Sequence, residues 1–360
     1  MATQSSRRAR RRRLAPATAS RQRASYFAHA LASVATLRLT LLSCFRSFLC
    51  RLSLYHTTLF SKLPSLSSFV LPVDQEDLHV SEALKHSCDG SQLITHEDLP
   101  EAWHNNPYIS SGYRFIPLHR FTTLLQSMFT PHNELLNIQT HLIPMLLWGL
   151  TFRAADPAEA VFTASVLICL GSSVVWHTMS GCAHRGMMEF CARIDYVGIG
   201  WLISASVGTI VYYGYGAHPH LAYSFLALCL LMAVTGSIIP FLAWFDRYEY
   251  RKYRLLYFFL LVLCAVVPIG GLAVLYGLHS MASFVAPILP TLFFCDLGVV
   301  FYTFHLPERF LTPGGKWARR LESIGGGSHA IWHTCVVLAI SNWRAALGVM
   351  RAGVVVSAAA

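Results

Sequence analysis

The sequence predicts an all-α membrane protein: a seven-transmembrane helix bundle with its N-terminus in the cytosol and its C-terminus outside. Three observations lead to this fold class. The composition is 54% hydrophobic and only 13% charged, whereas a soluble chain carries roughly 25% charged residues. Seven apolar blocks recur along the chain, and the basic residues between them fall on alternate loops. We therefore expect a multi-pass integral membrane protein, with the organelle left open.

Each apolar block is close to the roughly 20 residues that cross the hydrocarbon core of a bilayer as a helix. The first block is the least apolar, because Asn137, Gln139, Thr140 and His141 interrupt it. The predicted spans are Leu135–Phe152, Val161–Ser180, Ile194–Tyr213, Leu221–Phe245, Leu255–Leu278, Met281–Phe304 and Gly326–Met350.

The loops between these spans determine the predicted orientation, because Lys and Arg are enriched on the cytosolic side of a membrane. The first loop carries only Arg153, and the loops near residues 214–220 and near His279 carry neither Lys nor Arg. The alternate loops contain Arg185, Arg193, Arg247, Arg251, Lys252, Arg254, Arg309, Lys316, Arg319 and Arg320. Every loop agrees with a cytosolic N-terminus, the inverse of the orientation of G-protein-coupled receptors.

Composition divides the chain into three parts. Residues 1–73 contain no acidic residue and are rich in Arg and Ser, which predicts a basic tail that is either disordered against anionic lipid or a targeting segment. Residues 74–131 are mixed in composition and predict a short cytosolic or interfacial segment. Residues 132–352 form the predicted transmembrane domain. The ten cysteines occur without a C-x-x-C pair, so neither a disulfide framework nor a cysteine zinc site is indicated.

Polar residues of three predicted spans share one depth. His329 and His333 are four residues apart, so a helix places both imidazoles on one face near the cytosolic start of the seventh span. His177 lies near the cytosolic end of the second span, and Ser173 is one turn from it on the same face. Asp195 lies just inside the third span at the same level. The topology therefore predicts that these five side chains lie at one end of the bundle.

Three imidazoles with an open fourth position are a common arrangement for catalytic zinc, and a nearby carboxylate can orient or deprotonate the water. We predict Zn²⁺ at His177, His329 and His333, with Asp195 and Ser173 as catalytic residues. Ser173 would hold a substrate carbonyl or steady the water. The alternative is that the histidines only hydrogen-bond across helices, as polar residues inside membranes commonly do.

The stretch "SHAIWHT" lacks the glutamate of the zinc-protease motif H-E-x-x-H, so this class of metalloprotease is not indicated. Three other histidines, His141, His184 and His305, lie near the ends of predicted spans. We expect these three at the membrane interface rather than among the metal ligands.

Several ordered motifs resemble those of the progestin and adipoQ receptor (PAQR) family, which includes adiponectin receptors, haemolysin III-related proteins and fungal zinc-homeostasis membrane proteins. The resemblance extends from about Leu99 to Val337 and favours a fungal-type member. The motifs are "LPEAWHNNPYISSGYR" before the first span, then "NELLNIQTH", "SVVWH", "DYVGI", "PERF" and "SHAIWH".

The resemblance implies a seven-helix bundle with a cytosolic N-terminus, in agreement with the loop charges. It also implies zinc at His177, His329 and His333, beside Asp195 and Ser173. Members of the family have been assigned ceramidase-like hydrolysis of lipid amides, and some act as receptors for protein or steroid ligands. This sequence departs from the family pattern in the last histidine motif, where an alanine follows the first histidine, and in the long basic connection "GGKWARRLESIGGG".

The leading hypothesis is a membrane-embedded, zinc-dependent amidohydrolase, ceramidase-like, with a receptor role in lipid and metal homeostasis. The alternative is a non-catalytic membrane receptor or zinc-homeostasis sensor with a structural zinc ion. A pore or transporter is disfavoured, because the polar residues cluster at one end of the spans. The expected partners are the lipid bilayer and a ceramide-like lipid substrate, or else a lipid or protein ligand; no nucleic acid is expected.

Overall fold

The computed structural model describes residues 73–242, 244–245 and 250–355. Within these ranges the regular secondary structure is helical, and the only β pairing consists of two isolated bridges. The predicted basic tail of residues 1–73 lies outside the described residues except for Val73.

The helices follow the predicted order. Before the first apolar block lie α1 (Val73–His86) and α2 (Phe121–Ser127). The helices that follow are α3 (Leu135–Thr151), α4 (Pro157–Met179), α5 (Arg185–Gly214), α6 (Pro219–Ile238), α7 (Arg251–Leu263), α8 (Val266–Tyr276), α9 (Leu278–Val285), α10 (Leu289–Phe304), α11 (Lys316–Glu322) and α12 (Ser328–Met350).

Five segments of the described chain are long and apolar enough to cross a membrane: Pro157–Met179, Arg185–Gly214, Pro219–Phe241, Arg251–Tyr276 and Leu278–Phe310. They correspond to the second to sixth predicted spans, and they confirm the prediction of an all-α membrane protein. The first and last predicted spans are present as α3 and α12 but are not among the five. The helix α3 is shorter than the five segments, with 17 residues, and both α3 and α12 carry polar side chains of the site described below, which reduce their mean hydropathy.

Two of the apolar segments are broken helices. The break between α7 and α8 lies at Cys264 and Ala265, shortly before Pro268. Proline lacks an N–H, and its ring clashes with the carbonyl group four residues earlier, which here belongs to Cys264. Pro287 lies within the break between α9 and α10, and Pro290 lies in the first turn of α10.

Glycines allow α4, α5 and α6 to pack closely. A Cβ atom at Gly198 would lie 2.8 Å from Cys169 Cα, and one at Gly200 would lie 2.9 Å from Gly236 Cα. Small residues at such crossings allow helix backbones to approach each other within membranes. Because a short connection joins α4 to α5 and the two helices pack together, they run in opposite directions. One turn from the Gly198 crossing, towards that connection, α5 therefore reaches Asp195.

The segment before α3 packs against one end of the bundle, at the α4–α5 connection (residues 180–184), which we call the docked end. The buried Trp103 donates its indole N–H to Cys182 O at 3.0 Å. Ile116 N donates to Gly181 O at 2.8 Å, and Ala183 N donates to Ile116 O at 2.8 Å. These contacts place the predicted interfacial segment directly over the ends of α4 and α5.

Candidate metal centre

Three histidines from two helices meet at the docked end. His177 lies in the last turn of α4, and His329 and His333 lie in the first two turns of α12. Each offers one ligand atom, and these atoms lie within 4.8 Å of one another. The ring centroids are 4.6 to 4.9 Å apart. The structure therefore brings together the three histidines that the sequence predicts as ligands, and they could hold a metal ion.

The closest pair of nitrogens tests whether zinc fits this cluster. His177 Nε2 and His329 Nε2 are 3.2 Å apart. Two nitrogens bound tetrahedrally to one zinc ion at 2.0–2.1 Å would be about 3.3–3.4 Å apart. Neutral imidazole is also the commonest metal ligand in proteins. Both the spacing and the chemistry of the donors fit zinc.

Hydrogen bonds on the opposite side of two rings determine which nitrogen is free. His177 Nδ1 lies 2.8 Å from Glu134 Oε2, and a carboxylate accepts, so Nδ1 donates its proton there. His333 Nδ1 lies 2.9 Å from the carbonyl oxygen of Asn137 and donates in the same way. Nε2 of both rings is then left with a lone pair. Metal-binding histidines characteristically donate their second N–H to a carboxylate or a backbone carbonyl.

Glu134 is a site residue to which the sequence reasoning assigned no role. It lies at the N-terminus of α3, and its Oε2 also accepts from Asn137 Nδ2 at 2.5 Å. The signal was present in "NELLNIQTH", since the i, i+3 spacing of Glu134 and Asn137 places them on one face of a helix. What the sequence did not reveal is that this face meets His177.

A second buried carboxylate holds the start of α12. Glu308, from the "PERF" motif, accepts from Ser328 N at 2.8 Å and also from the Ser328 hydroxyl. It accepts a third hydrogen bond from Asn106 Nδ2 at 3.0 Å, which links the segment before α3 to the same point. A carboxylate is favourable at a helix N-terminus because it satisfies free N–H groups there. Glu308 thereby positions the turn that carries His329.

Arg114 holds the end of α4. Its Nη2 donates to the carbonyl oxygen of His177 at 2.7 Å, and its Nη1 donates to Ser127 Oγ at 2.6 Å. Burial lowers the pKa of Arg114 to about 10, so the side chain remains a cation at neutral pH. A buried cation at the C-terminal turn of a helix satisfies carbonyl groups that lack helical partners. The "GYR" of the sequence motif thus supports the backbone of His177.

Ser173 and Asp195 lie beside the cluster. Ser173 is 1% exposed, and its hydroxyl has no hydrogen-bond partner in the described chain. By contrast, the Ser172 and Thr178 hydroxyls on the same helix donate to carbonyl groups of α4 at 3.0 and 2.8 Å. The Asp195 carboxyl is close enough to His177 for electrostatic interaction. Their catalytic roles remain predictions.

His141 is buried inside the bundle, whereas the sequence-based expectation was a place at the membrane interface. It is 4% exposed, and its ring stacks on that of His333 with centroids 3.8 Å apart and an interplanar angle of 8°. The reason is that α3 packs against α12 and turns this face inwards. His184 and His305 do lie at helix ends, where His184 Nδ1 accepts from Met187 N and His305 Nε2 is 2.8 Å from Arg251 Nη1.

Comparison with known proteins identifies the family. A family profile described as "Haemolysin-III related" matches residues 129–343. The chain belongs to this family. The match contains α3 to α11 and most of α12, and thus every residue of the histidine cluster.

Relatives from several organisms agree with this assignment. The chain is 32% identical over 278 residues to an uncharacterized protein of Schizosaccharomyces pombe, which covers 73% of this chain and 61% of the relative. It is 28% identical over 333 residues to the ADIPOR-like receptor IZH3 of Eremothecium gossypii, 77% of each chain. It is 28% identical over 274 residues to the adiponectin receptor protein of Drosophila melanogaster, 72% of this chain and 60% of the relative.

These matches confirm the resemblance to the progestin and adipoQ receptor family. The protein is a multi-pass integral membrane protein of a receptor family. The chain spans about three fifths of the length of the Schizosaccharomyces pombe and Drosophila melanogaster relatives.

Proposed function

We propose that this protein is a zinc-dependent, ceramidase-like hydrolase of lipid amides. One observation carries the proposal: three histidine ligand atoms lie within 4.8 Å of one another, beside a buried serine hydroxyl without a partner and a carboxyl group. That donor set combines a metal site with a hydrogen-bond donor and a proton acceptor. Metal-assisted hydrolysis of an amide uses these three elements.

The proposal includes seven spans, with α3 and α12 as the first and last. Both helices pack along the bundle, α3 against α4 and α12 against α10. The alternating basic loops support a cytosolic N-terminus and an outer C-terminus. The docked end is then cytosolic, and the histidine cluster lies in the cytosolic leaflet. A lipid amide would enter laterally from the bilayer.

His177, His329 and His333 would hold zinc. Zinc, when bound, supplies Lewis-acid activation of water at neutral pH. Asp195 accepts the proton that water loses as its oxygen attacks the amide carbon, and delivers it to the leaving nitrogen. Ser173 donates its hydroxyl proton to the amide oxygen, where negative charge develops. The products are a fatty acid and an amine.

The test uses purified, zinc-loaded protein and measures fatty-acid release from ceramide. We expect the wild type to release fatty acid. Asp195→Asn should lower the turnover about 10²- to 10⁴-fold, as removal of a general base does. His333→Ala should lose both bound zinc and turnover. A matched control is His218→Ala, whose ring contacts Tyr276 at the opposite end of the bundle. Equal turnover of the wild type and His333→Ala would refute catalysis at this site.

A second candidate is a receptor or zinc-homeostasis sensor in which the metal is structural. It is favoured by the names of the Eremothecium gossypii and Drosophila melanogaster relatives, which contain the word receptor, and by contacts of the histidine cluster with three helices. His333 bonds to α3 and adjoins His177 of α4. In that case, zinc removal by a chelator lowers the melting temperature, while neither the wild type nor His333→Ala cleaves any lipid amide.

A further inference from the structure

Four buried polar atoms beside the histidine cluster have no hydrogen-bond partner in the described chain. They are Asn137 Oδ1, both ring nitrogens of His141, and Ser173 Oγ. Buried polar atoms of native proteins are almost always paired, so a group of this kind at one place needs an explanation. Asn137 and His141 lie on α3 and Ser173 on α4. Each is a direct neighbour, or one helical turn from a neighbour, of His177 or His333.

The ring nitrogens of His141 are two of these four atoms. Its ring is buried and stacks on the ring of His333 with centroids 3.8 Å apart, yet neither nitrogen makes a hydrogen bond of normal geometry in the described chain. A phenylalanine would supply the same stack without two unpaired polar atoms. The two nitrogens are therefore open to a polar group from outside the described chain, which is either an ordered water or the polar part of a ligand.

We propose that His141 binds the polar head of the lipid amide, in a subsite next to the histidine cluster that also includes the Ser173 hydroxyl. This inference rests on the proposed function. A neutral imidazole presents one N–H donor and one acceptor nitrogen, and both need a partner when buried. The subsite therefore takes a head group that itself carries both a donor and an acceptor.

This requirement distinguishes classes of lipid. A secondary amide offers an N–H and a carbonyl oxygen, and hydroxyl groups on the head add further donors. An ester without a hydroxyl group, or the carboxylate of a released fatty acid, only accepts. Either would leave the acceptor nitrogen of His141 buried and unpaired, which weakens binding. The subsite selects amide over ester and favours release of the acid product.

The experiment measures binding to purified, zinc-loaded protein in one detergent, with a matched pair of probes: a fatty amide that carries an N–H, and the ester of the same chain lengths. We expect the wild type to bind the amide at least about 10-fold more tightly, the usual effect of one unpaired buried group. His141→Phe should bind both probes alike, while its zinc content stays the same and its melting temperature is equal or higher. His218→Phe, at the far end of the bundle, is the matched control and should keep the preference.

Equal binding of amide and ester by the wild type, or an undiminished preference in His141→Phe, overturns the subsite. If His141→Phe does not fold, the wild type is tested with the N-methylated amide, which lacks the N–H donor. Binding of this amide as tight as that of the N–H amide overturns the inference, and an affinity about 10-fold lower supports it. If the protein cleaves the lipid amide but His141→Phe keeps the amide preference, the subsite is refuted and the proposed hydrolase function stands. If the amide preference depends on His141 but the protein cleaves no lipid amide, the subsite is supported and the proposed hydrolase function is refuted.

Discussion

Replacement of Glu134 tests directly whether this residue supports the proposed metal centre. In the structure, one carboxylate oxygen accepts both the Nδ1–H of His177, at 2.8 Å, and the side-chain amide of Asn137, at 2.5 Å. Glu134→Gln keeps the size and one acceptor oxygen but removes the charge. Glu134→Ala removes the acceptor as well, so that two buried donors lose their partner.

The expected magnitudes follow from these contacts. Loss of a partner that orients a ligating histidine typically lowers metal affinity 10- to 100-fold, about 1.4 to 2.7 kcal/mol. The loss of zinc affinity in Glu134→Gln should be near the lower value, because an amide oxygen still accepts from His177 Nδ1. The loss of zinc affinity in Glu134→Ala should be near the upper value. This variant should also have a free energy of unfolding lower by about 1–3 kcal/mol for each unpaired donor.

The assay is a competition titration with a fluorescent zinc chelator on metal-stripped protein, with zinc content measured by mass spectrometry. Glu189→Gln is the matched control. Its carboxylate pairs with Arg185 and Arg193 on the surface of α5, and exposed ion pairs contribute little. Unchanged zinc affinity in Glu134→Ala would refute the assignment of Glu134 as the partner that holds the proton on His177 Nδ1.

Three other contacts lead to further predictions. Gly198→Ala places a Cβ 2.8 Å from Cys169 Cα and should lower the melting temperature and the zinc affinity. On the same helix, the Cβ of Gly208→Ala meets open space, so this variant should raise the free energy of unfolding by about 0.5–1 kcal/mol. Glu308→Ala leaves two donors of the first residue of α12 unpaired and should lower the free energy of unfolding by about 1–3 kcal/mol, measured by denaturant titration. Hydrogen bonds from the Thr95 hydroxyl and N–H lower the pKa of Asp98. The stabilising contribution of Asp98 is thus complete above its unfolded pKa and disappears as the pH falls through the lower folded value. Asp98→Asn should therefore be less stable than the wild type at neutral pH and equal to it in strong acid, as measured by limited proteolysis of this segment.

Each of these predictions has an outcome that contradicts it. Equal melting temperatures of the two glycine variants would mean that the α4–α5 crossing tolerates a methyl group. An undiminished free energy of unfolding in Glu308→Ala would show that the start of α12 is held elsewhere. A stability difference for Asp98→Asn that persists at low pH would show that the charge of Asp98 is not what stabilises the segment.

Hydropathy and charge in the sequence by themselves determined the membrane class and the order of the helices. An apolar segment of about 20 residues leaves few alternatives to a membrane helix. The helical period also predicted that His329 and His333 share a face. The alternation of the spans placed His177 at the same end of the bundle, since each crossing reverses the chain direction. The proposed ligands were therefore predictable from local pattern and topology together.

Only the tertiary structure decided the groups around these ligands. Glu134 lies 43 positions from His177 along the chain, and the Asn137 carbonyl lies 196 positions from His333. Sequence periodicity states which face of a helix is polar, but not which helix that face meets. The first span looked weak because of its polar residues, and His141 was expected at the interface because it lies near the end of that span. Packing of α3 against α12 buries that polar face, so His141 lies inside the bundle beside the histidine cluster.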